Sequence, residues 1–158
     1  MPQTIPLPLD GSCRCGRVKI RLTQPPICTA ACHCRGCQKM ASSAYSLTAM
    51  VPADGFEVTS GETVIGGLHG DALHHHFCGH CMTWMFTRPV GMGFVNVRPT
   101  MFDETAWFRP YMETFASTKL PFAETGAVRS FGEFPAMAEI EGLLAGYAAW
   151  VEAERPPA

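Results

Sequence analysis

Seven of the eight cysteines in this chain fall into three tight groups: Cys13-Arg14-Cys15, Cys32-His33-Cys34-Arg35-Gly36-Cys37 and Cys78-Gly79-His80-Cys81. Thiols one or two residues apart can turn their sulfurs toward a common point, and thiolate sulfur is the soft donor that tetrahedral Zn²⁺ takes. The two outer groups hold two sulfurs each. Together Cys13, Cys15, Cys78 and Cys81 complete a set of four, which closes a structural site. The middle group, Cys32, Cys34 and Cys37, holds three, which leaves one coordination position for water or a substrate. A thiol entering there would lose its proton on binding, so the chemistry such a group suggests is thiol activation. Two other arrangements remain open. Each outer pair could serve a separate metal or none, and Cys28 could swing in beside Cys32, Cys34 and Cys37 as a fourth sulfur.

Disulfides are the other common use of clustered cysteines. The opening MPQTIPLPLD has neither a basic n-region nor a long apolar run, so the reading is a cytoplasmic, reducing location. Cysteine content is below the roughly 8–10% of a disulfide scaffold. A redox Cys-x-x-Cys should open a helix after a strand, yet Met82-Thr83-Trp84-Met85-Phe86 reads as extended.

The elements that must position these sulfurs are mostly strands. Arg17 to Leu22 alternates polar and apolar residues, the period of a half-buried strand. Further strands are expected at Tyr45–Val51, Phe56–Thr59, Glu62–Ile65, Ala72–Phe77, Met85–Phe86 and Phe94–Val97, punctuated by the 15 glycines and 13 prolines. A helical turn is expected from Cys34 through Cys37-Gln38-Lys39. A C-terminal helix is expected over about 135–154, where Ile140, Leu143, Leu144, Tyr147 and Val151 recur at helical spacing, Pro135 suits the first turn and Pro156-Pro157 stops it. A metal joining the first and third groups would fix the ends of a loop of about sixty residues, whose closure is otherwise costly. Gly16 and Gly79 are expected to form the tight knuckles. Alternation through Cys32-His33-Cys34 places the two sulfurs on one side and His33 on the other. The fold class is mainly β, one domain over residues 1–158.

These residues resemble the family of glutathione-dependent formaldehyde-activating enzymes. The resemblance is carried by Gly11-Ser12-Cys13-Arg14-Cys15-Gly16, Cys32-His33-Cys34-Arg35-Gly36-Cys37-Gln38-Lys39, Ser43-Ala44-Tyr45-Ser46 and Phe77-Cys78-Gly79-His80-Cys81, and spans roughly residues 11–135. It implies a zinc-bearing β-tent fold of short antiparallel strands. It further implies a structural zinc on Cys13, Cys15, Cys78 and Cys81 and a catalytic zinc on Cys32, Cys34 and Cys37, two zinc ions per chain. The implied activity is of the carbon–sulfur lyase type, joining glutathione to formaldehyde as S-hydroxymethylglutathione. Two positions depart from the family pattern, Ser42 and Met82, where glycine is common.

Other polar residues have simpler explanations. His74, His75 and His76 lie in an expected strand, where hydrogen bonding or surface exposure accounts for them. His80 sits inside a knuckle with its side chain expected in solvent. Arg35 and Lys39 stand near the middle group, where they could attract a carboxylate of glutathione, though solvated charge explains them as well. Trp84, Trp107 and Trp150 read as core or interface. Charged residues are 16% of the chain and the net charge is −2 with histidine neutral, so no footprint for nucleic acid appears. No apolar run approaches the ~20 residues of a membrane span. The expected partners are a small thiol, glutathione by resemblance, and a small carbonyl. The competing class is a non-catalytic zinc module that binds a protein, with the second site closed by Cys28.

Overall fold

The computed structural model describes residues 4–68 and 70–154. Its elements are β1 (Leu9–Ser12), β2 (Lys19–Leu22), β3 (Cys28–Cys32), α1 (Arg35–Ala41), β4 (Ser46–Pro52), β5 (Phe56–Ser60), β6 (Thr63–Gly66), β7 (Leu73–Cys78), β8 (Trp84–Pro89), β9 (Phe94–Val97), β10 (Met112–Thr114), β11 (Arg129–Ser130) and α2 (Met137–Ala153). A three-stranded sheet runs β1-β2-β5 and an eight-stranded sheet runs β11-β10-β3-β4-β9-β8-β7-β6. The protein is mainly β with a C-terminal helix.

Period-two patterning places the core. Ile20 and Leu22 of β2, Ala49 and Val51 of β4, and Val95 and Val97 of β9 are all fully buried and pack with Val18, Phe56, Met85 and Phe86. A second cluster joins Cys28 of β3 with Tyr111, Met112 and, from α2, Leu143 and Tyr147. The buried stripe of α2 is centred on Leu143 and Tyr147, with Trp150 beside them. Val151, expected on that stripe, is 36% exposed.

Each strand read from the sequence is present, with ends moved by at most a few residues. Four strands were not expected: β1, β3, β10 and β11. Antiparallel pairing dominates, except that β10 lies parallel to both β3 and β11. The pairing of β10 with β3 sets Thr114 opposite Cys32, at the edge of the middle cysteine group. Helix α2 begins at Met137, so Pro135 precedes the N-cap residue Ala136 rather than opening the helix, and the Ala136 N–H donates to Glu139 Oε2 at 3.0 Å. Pro156 and Pro157 lie outside the described residues. Among the described residues no helix is long and apolar enough to cross a membrane.

Candidate functional site

The first sulfur group forms where the two sheets approach each other. Cys13 and Cys15 lie in the β1–β2 turn, Cys78 ends β7, and Cys81 lies in the turn before β8. Their four sulfurs lie within 4.8 Å of one another. Cys13 Sγ is 3.5 Å from Cys15 Sγ, and Cys15 Sγ is 3.8 Å from Cys78 Sγ. Those spacings match the ~3.8 Å between sulfurs on a tetrahedral zinc with ~2.3 Å bonds.

Backbone N–H groups aim at the sulfurs, as thiolates need: Val18 donates to Cys13 Sγ, and both His80 and Cys81 donate to Cys78 Sγ, each at 3.4 Å. The Thr83 hydroxyl, 3.2 Å from Cys81 Sγ, is the foremost cause holding the Cys81 thiol down at about 5. Gly16 turns the first knuckle with φ +76°, as expected. Gly79 does not play the matching part. The left-handed residue of the second knuckle is Met82, at φ 57°.

The second group is built on one strand end and one helix start. Cys32 closes β3, Cys34 is the N-cap of α1, and Cys37 lies in its first turn. Cys34 Sγ accepts the Cys37 N–H at 3.3 Å, a cap that thiolate sulfur fills in place of a hydroxyl. The three sulfurs lie within 4.8 Å of one another. Hydrogen bonding from Cys37 pulls the Cys32 thiol down to about 5 against the opposing effect of burial, and the same contact drives Cys37 far upward. The Cys37–Cys32 contact thus favours the charged form on Cys32 and the neutral form on Cys37.

Cys28 does not join them. It starts β3 four residues from Cys32, a span of about 13 Å in extended chain, and its sulfur is buried beneath α2, where burial raises its thiol to about 11. The arrangement with Cys28 as a fourth sulfur is thereby corrected: a strand cannot fold back to bring its first residue to its last.

His33, between two of these cysteines, is completely buried on the opposite side, as alternation requires. Its Nε2–H donates to Glu113 Oε2 at 3.0 Å. Glu113 also accepts from Thr125 and Ser130, each at 2.8 Å, and Lys119 Nζ stands 3.8 Å away. Burial pushes this carboxyl upward, but these donors prevail and keep it below the ordinary carboxylate range. The His33 carbonyl accepts from Gln38 Nε2 and Thr118 Oγ1. The loop carrying the sulfurs is thus tied to β10 and to the segment after it.

A cavity of about 330 Å³ lies near both groups, lined by neighbours of their cysteines rather than by the sulfurs themselves. Its walls include Met40, Tyr45 and Ser46 from the α1–β4 region, Thr83 and Trp84 from the start of β8, and Arg98. Ser46 lies beside Cys37, and Thr83 is the hydroxyl beside Cys81. Arg98, which lines this cavity, and Glu113, which holds His33, are charged residues near the sulfur groups that the sequence did not single out. The visible signal was a single charge at the end of an apolar stretch, Phe94-Val95-Asn96-Val97-Arg98 and Tyr111-Met112-Glu113.

Other residues singled out in the sequence lie elsewhere. His75 pairs with Thr87 and His76 with Thr63, and no histidine joins a metal-type cluster among the described residues. His80 is exposed. Arg35 donates to Gln38 Oε1. Trp107 is core, Trp150 packs on Tyr111 and Tyr147, and Trp84 lies under the Arg98 guanidinium.

Comparison with known proteins places this architecture. The family model of the glutathione-dependent formaldehyde-activating enzyme matches residues 8–118, which contain both sulfur groups. The chain belongs to this family. A Penicillium rubens protein that carries the provisional name of glutathione-dependent formaldehyde-activating enzyme is 28% identical over 113 residues, 67% of this chain and 58% of that protein. The chain therefore spans little more than half of that relative's length. A Rhodobacter sphaeroides protein of known crystal structure is similar in fold, with a TM-score of 0.50 and 18% identity, over 60% of this chain and 88% of that one. As a member of the formaldehyde-activating family, the protein has two cysteine clusters able to hold metal.

Proposed function

We propose that this protein is a zinc-dependent enzyme of the carbon–sulfur lyase type that adds a small thiol, glutathione by family, to formaldehyde or a related small carbonyl. The observation that carries the reading is the contrast between the two groups: four sulfurs in one, and three in the other with Cys28 kept away by its strand. Cys13, Cys15, Cys78 and Cys81 would hold a structural zinc, and Cys32, Cys34 and Cys37 a catalytic one. All-sulfur donor sets at tetrahedral spacing fit that ion.

Zinc on three sulfurs would supply an acidic binding position where a fourth, incoming sulfur is held as thiolate at neutral pH. The chain's own residues do the remaining work. Cys37 N–H and the Thr114 hydroxyl beside Cys32 fix the sulfur geometry. The His33–Glu113 bond fixes the loop between them. The nearby cavity, to which Met40 and Trp84 give apolar walls, would hold the carbonyl close to the thiol. In the addition an S–C bond forms, the carbonyl π bond breaks, and the proton released by the thiol ends on the oxygen. Formaldehyde needs little activation, so the gain comes from holding the two reactants together.

Cobalt substitution tests this reading. Thiolate charge-transfer absorption counts bound sulfurs, and glutathione should raise that band by about one thiolate per three-sulfur site, with proton release. In Cys34→Ser the response and the activity should disappear while the four-sulfur site stays loaded. Silence toward every thiol tried, or full activity in folded Cys34→Ser, would overturn the proposal.

A further inference from the structure

Arg98 is a charged side chain that the reaction as described does not use. It follows β9, is 7% exposed, and lines the cavity beside the three-sulfur group. Its guanidinium lies 4.3 Å from the Trp84 ring centroid, a cation–π contact that orients the plane. Among the described residues its guanidinium makes one hydrogen bond, a long one of 3.4 Å from Nη2 to the Asn96 carbonyl, and Nε is buried with no partner. No described carboxylate pairs with it. Burial lowers it to about 10 against the opposing pull of the Cys37 and Cys32 sulfurs, so it stays charged at neutral pH. An arginine buried at that depth with part of its fork unused is costly unless an anion completes it. The Cys37 and Cys32 sulfurs supply negative charge nearby, but no hydrogen bond from them to the guanidinium is seen, so the fork keeps open donors beside the cavity that it lines, where a further anion can arrive.

We propose that Arg98 binds the carboxylate of the incoming thiol, so that this site selects small thiols that carry a carboxylate over neutral ones. The proposal rests on the thiol-binding reading above and specifies its substrate class. Trp84 and Met40 would flank the carbon chain between the two ends, with the sulfur directed to Cys32, Cys34 and Cys37 and the carboxylate to the guanidinium fork. The cavity of about 330 Å³ suits a molecule of a few to about twenty heavy atoms. Arg98 is therefore a specificity-determining residue rather than a group that takes part in bond making.

The test is calorimetric binding to zinc-loaded protein at neutral pH, comparing 3-mercaptopropionate with its uncharged amide, 3-mercaptopropanamide. The parent should bind the acid at least about tenfold tighter, as expected for a charge-assisted bidentate contact. In Arg98→Met that preference should vanish, with the amide bound within about twofold of the parent and zinc content unchanged. Arg98→Lys, which keeps the charge and loses the fork, should show an intermediate preference. Equal affinity of the parent for the two thiols overturns the proposal without any variant. So does a preference that persists in Arg98→Met, or a parallel loss of both thiols there, which would mean that Arg98 acts on the sulfurs or the fold. Failure of the parent to bind either thiol would overturn the thiol-binding reading itself.

Discussion

Glu113 meets three hydrogen-bond donors and one ammonium at the back of the three-sulfur loop. Its folded pKa lies below the ordinary value, so the stabilisation it gives is present above the unfolded value of about 4.3 and is lost as pH falls through the folded value. Replacing it with the neutral amide, Glu113→Gln, should cost about 1–3 kcal/mol at pH 7. The gap between parent and variant should narrow as pH drops below the carboxylate range. Denaturant titrations of both proteins across that window would measure it, and a pH-independent gap would contradict the assignment. Glu113 was not legible in the sequence for a physical reason. Its partner His33 lies 80 positions away, and only the pairing of β10 with β3 joins them. The cysteines were legible because ligands one to three residues apart converge with little help from the fold.

At the scale of elements, Ser42 and Met82, the two positions where the resemblance leads one to expect glycine, share a backbone conformation. Ser42 caps α1 with φ 47°, and Met82 turns the second knuckle with φ 57°. Both are left-handed, a region that costs a residue with a Cβ about 1–2 kcal/mol. Glycine removes that strain but adds unfolded-chain entropy worth about 0.4–1 kcal/mol. Met82→Gly and Ser42→Gly should therefore each stabilise by up to about 1 kcal/mol, read as a rise of a few degrees in the melting temperature of metal-loaded protein. Unchanged or lower melting would show that the side chains contribute contacts worth the strain. The seven strands read in advance carry alternation or β-branched and aromatic residues. The four that were missed carry little of either, with Thr29 and Thr114 their only β-branched residues. Leu9–Ser12 has turn-like composition, Cys28–Cys32 is small residues between cysteines, and the β10 and β11 stretches span three and two residues. Their strand character comes from neighbours, which local patterning does not record.

Over the whole molecule, the four-sulfur group joins the three-stranded sheet, through Cys13 and Cys15, to the eight-stranded sheet, through Cys78 and Cys81. The Cys15–Cys78 contact spans 63 positions. Zinc bound there, as proposed, would contribute folding free energy, part of the about 10–16 kcal/mol a structural zinc site can supply. Cys78→Ser should be insoluble, or should melt far below the parent with about one zinc fewer by elemental analysis. A variant that melts like the parent and keeps its zinc would remove the structural role.

A parallel neighbour is reached only by a long crossover, and β10 reaches β3 after some eighty intervening residues. On a growing chain, translation sets a timetable. The three sulfurs of Cys32 to Cys37 emerge together, within six consecutive positions, well before Cys78 exists to close the other group. Glu113, which steadies their loop, follows much later, and Thr125 and Ser130, which hold Glu113, come after the segment that the family model matches. The three-sulfur loop, where the proposed thiol would bind, thus leaves the ribosome long before the residues that buttress it, and its backing is complete only once Ser130 has been made.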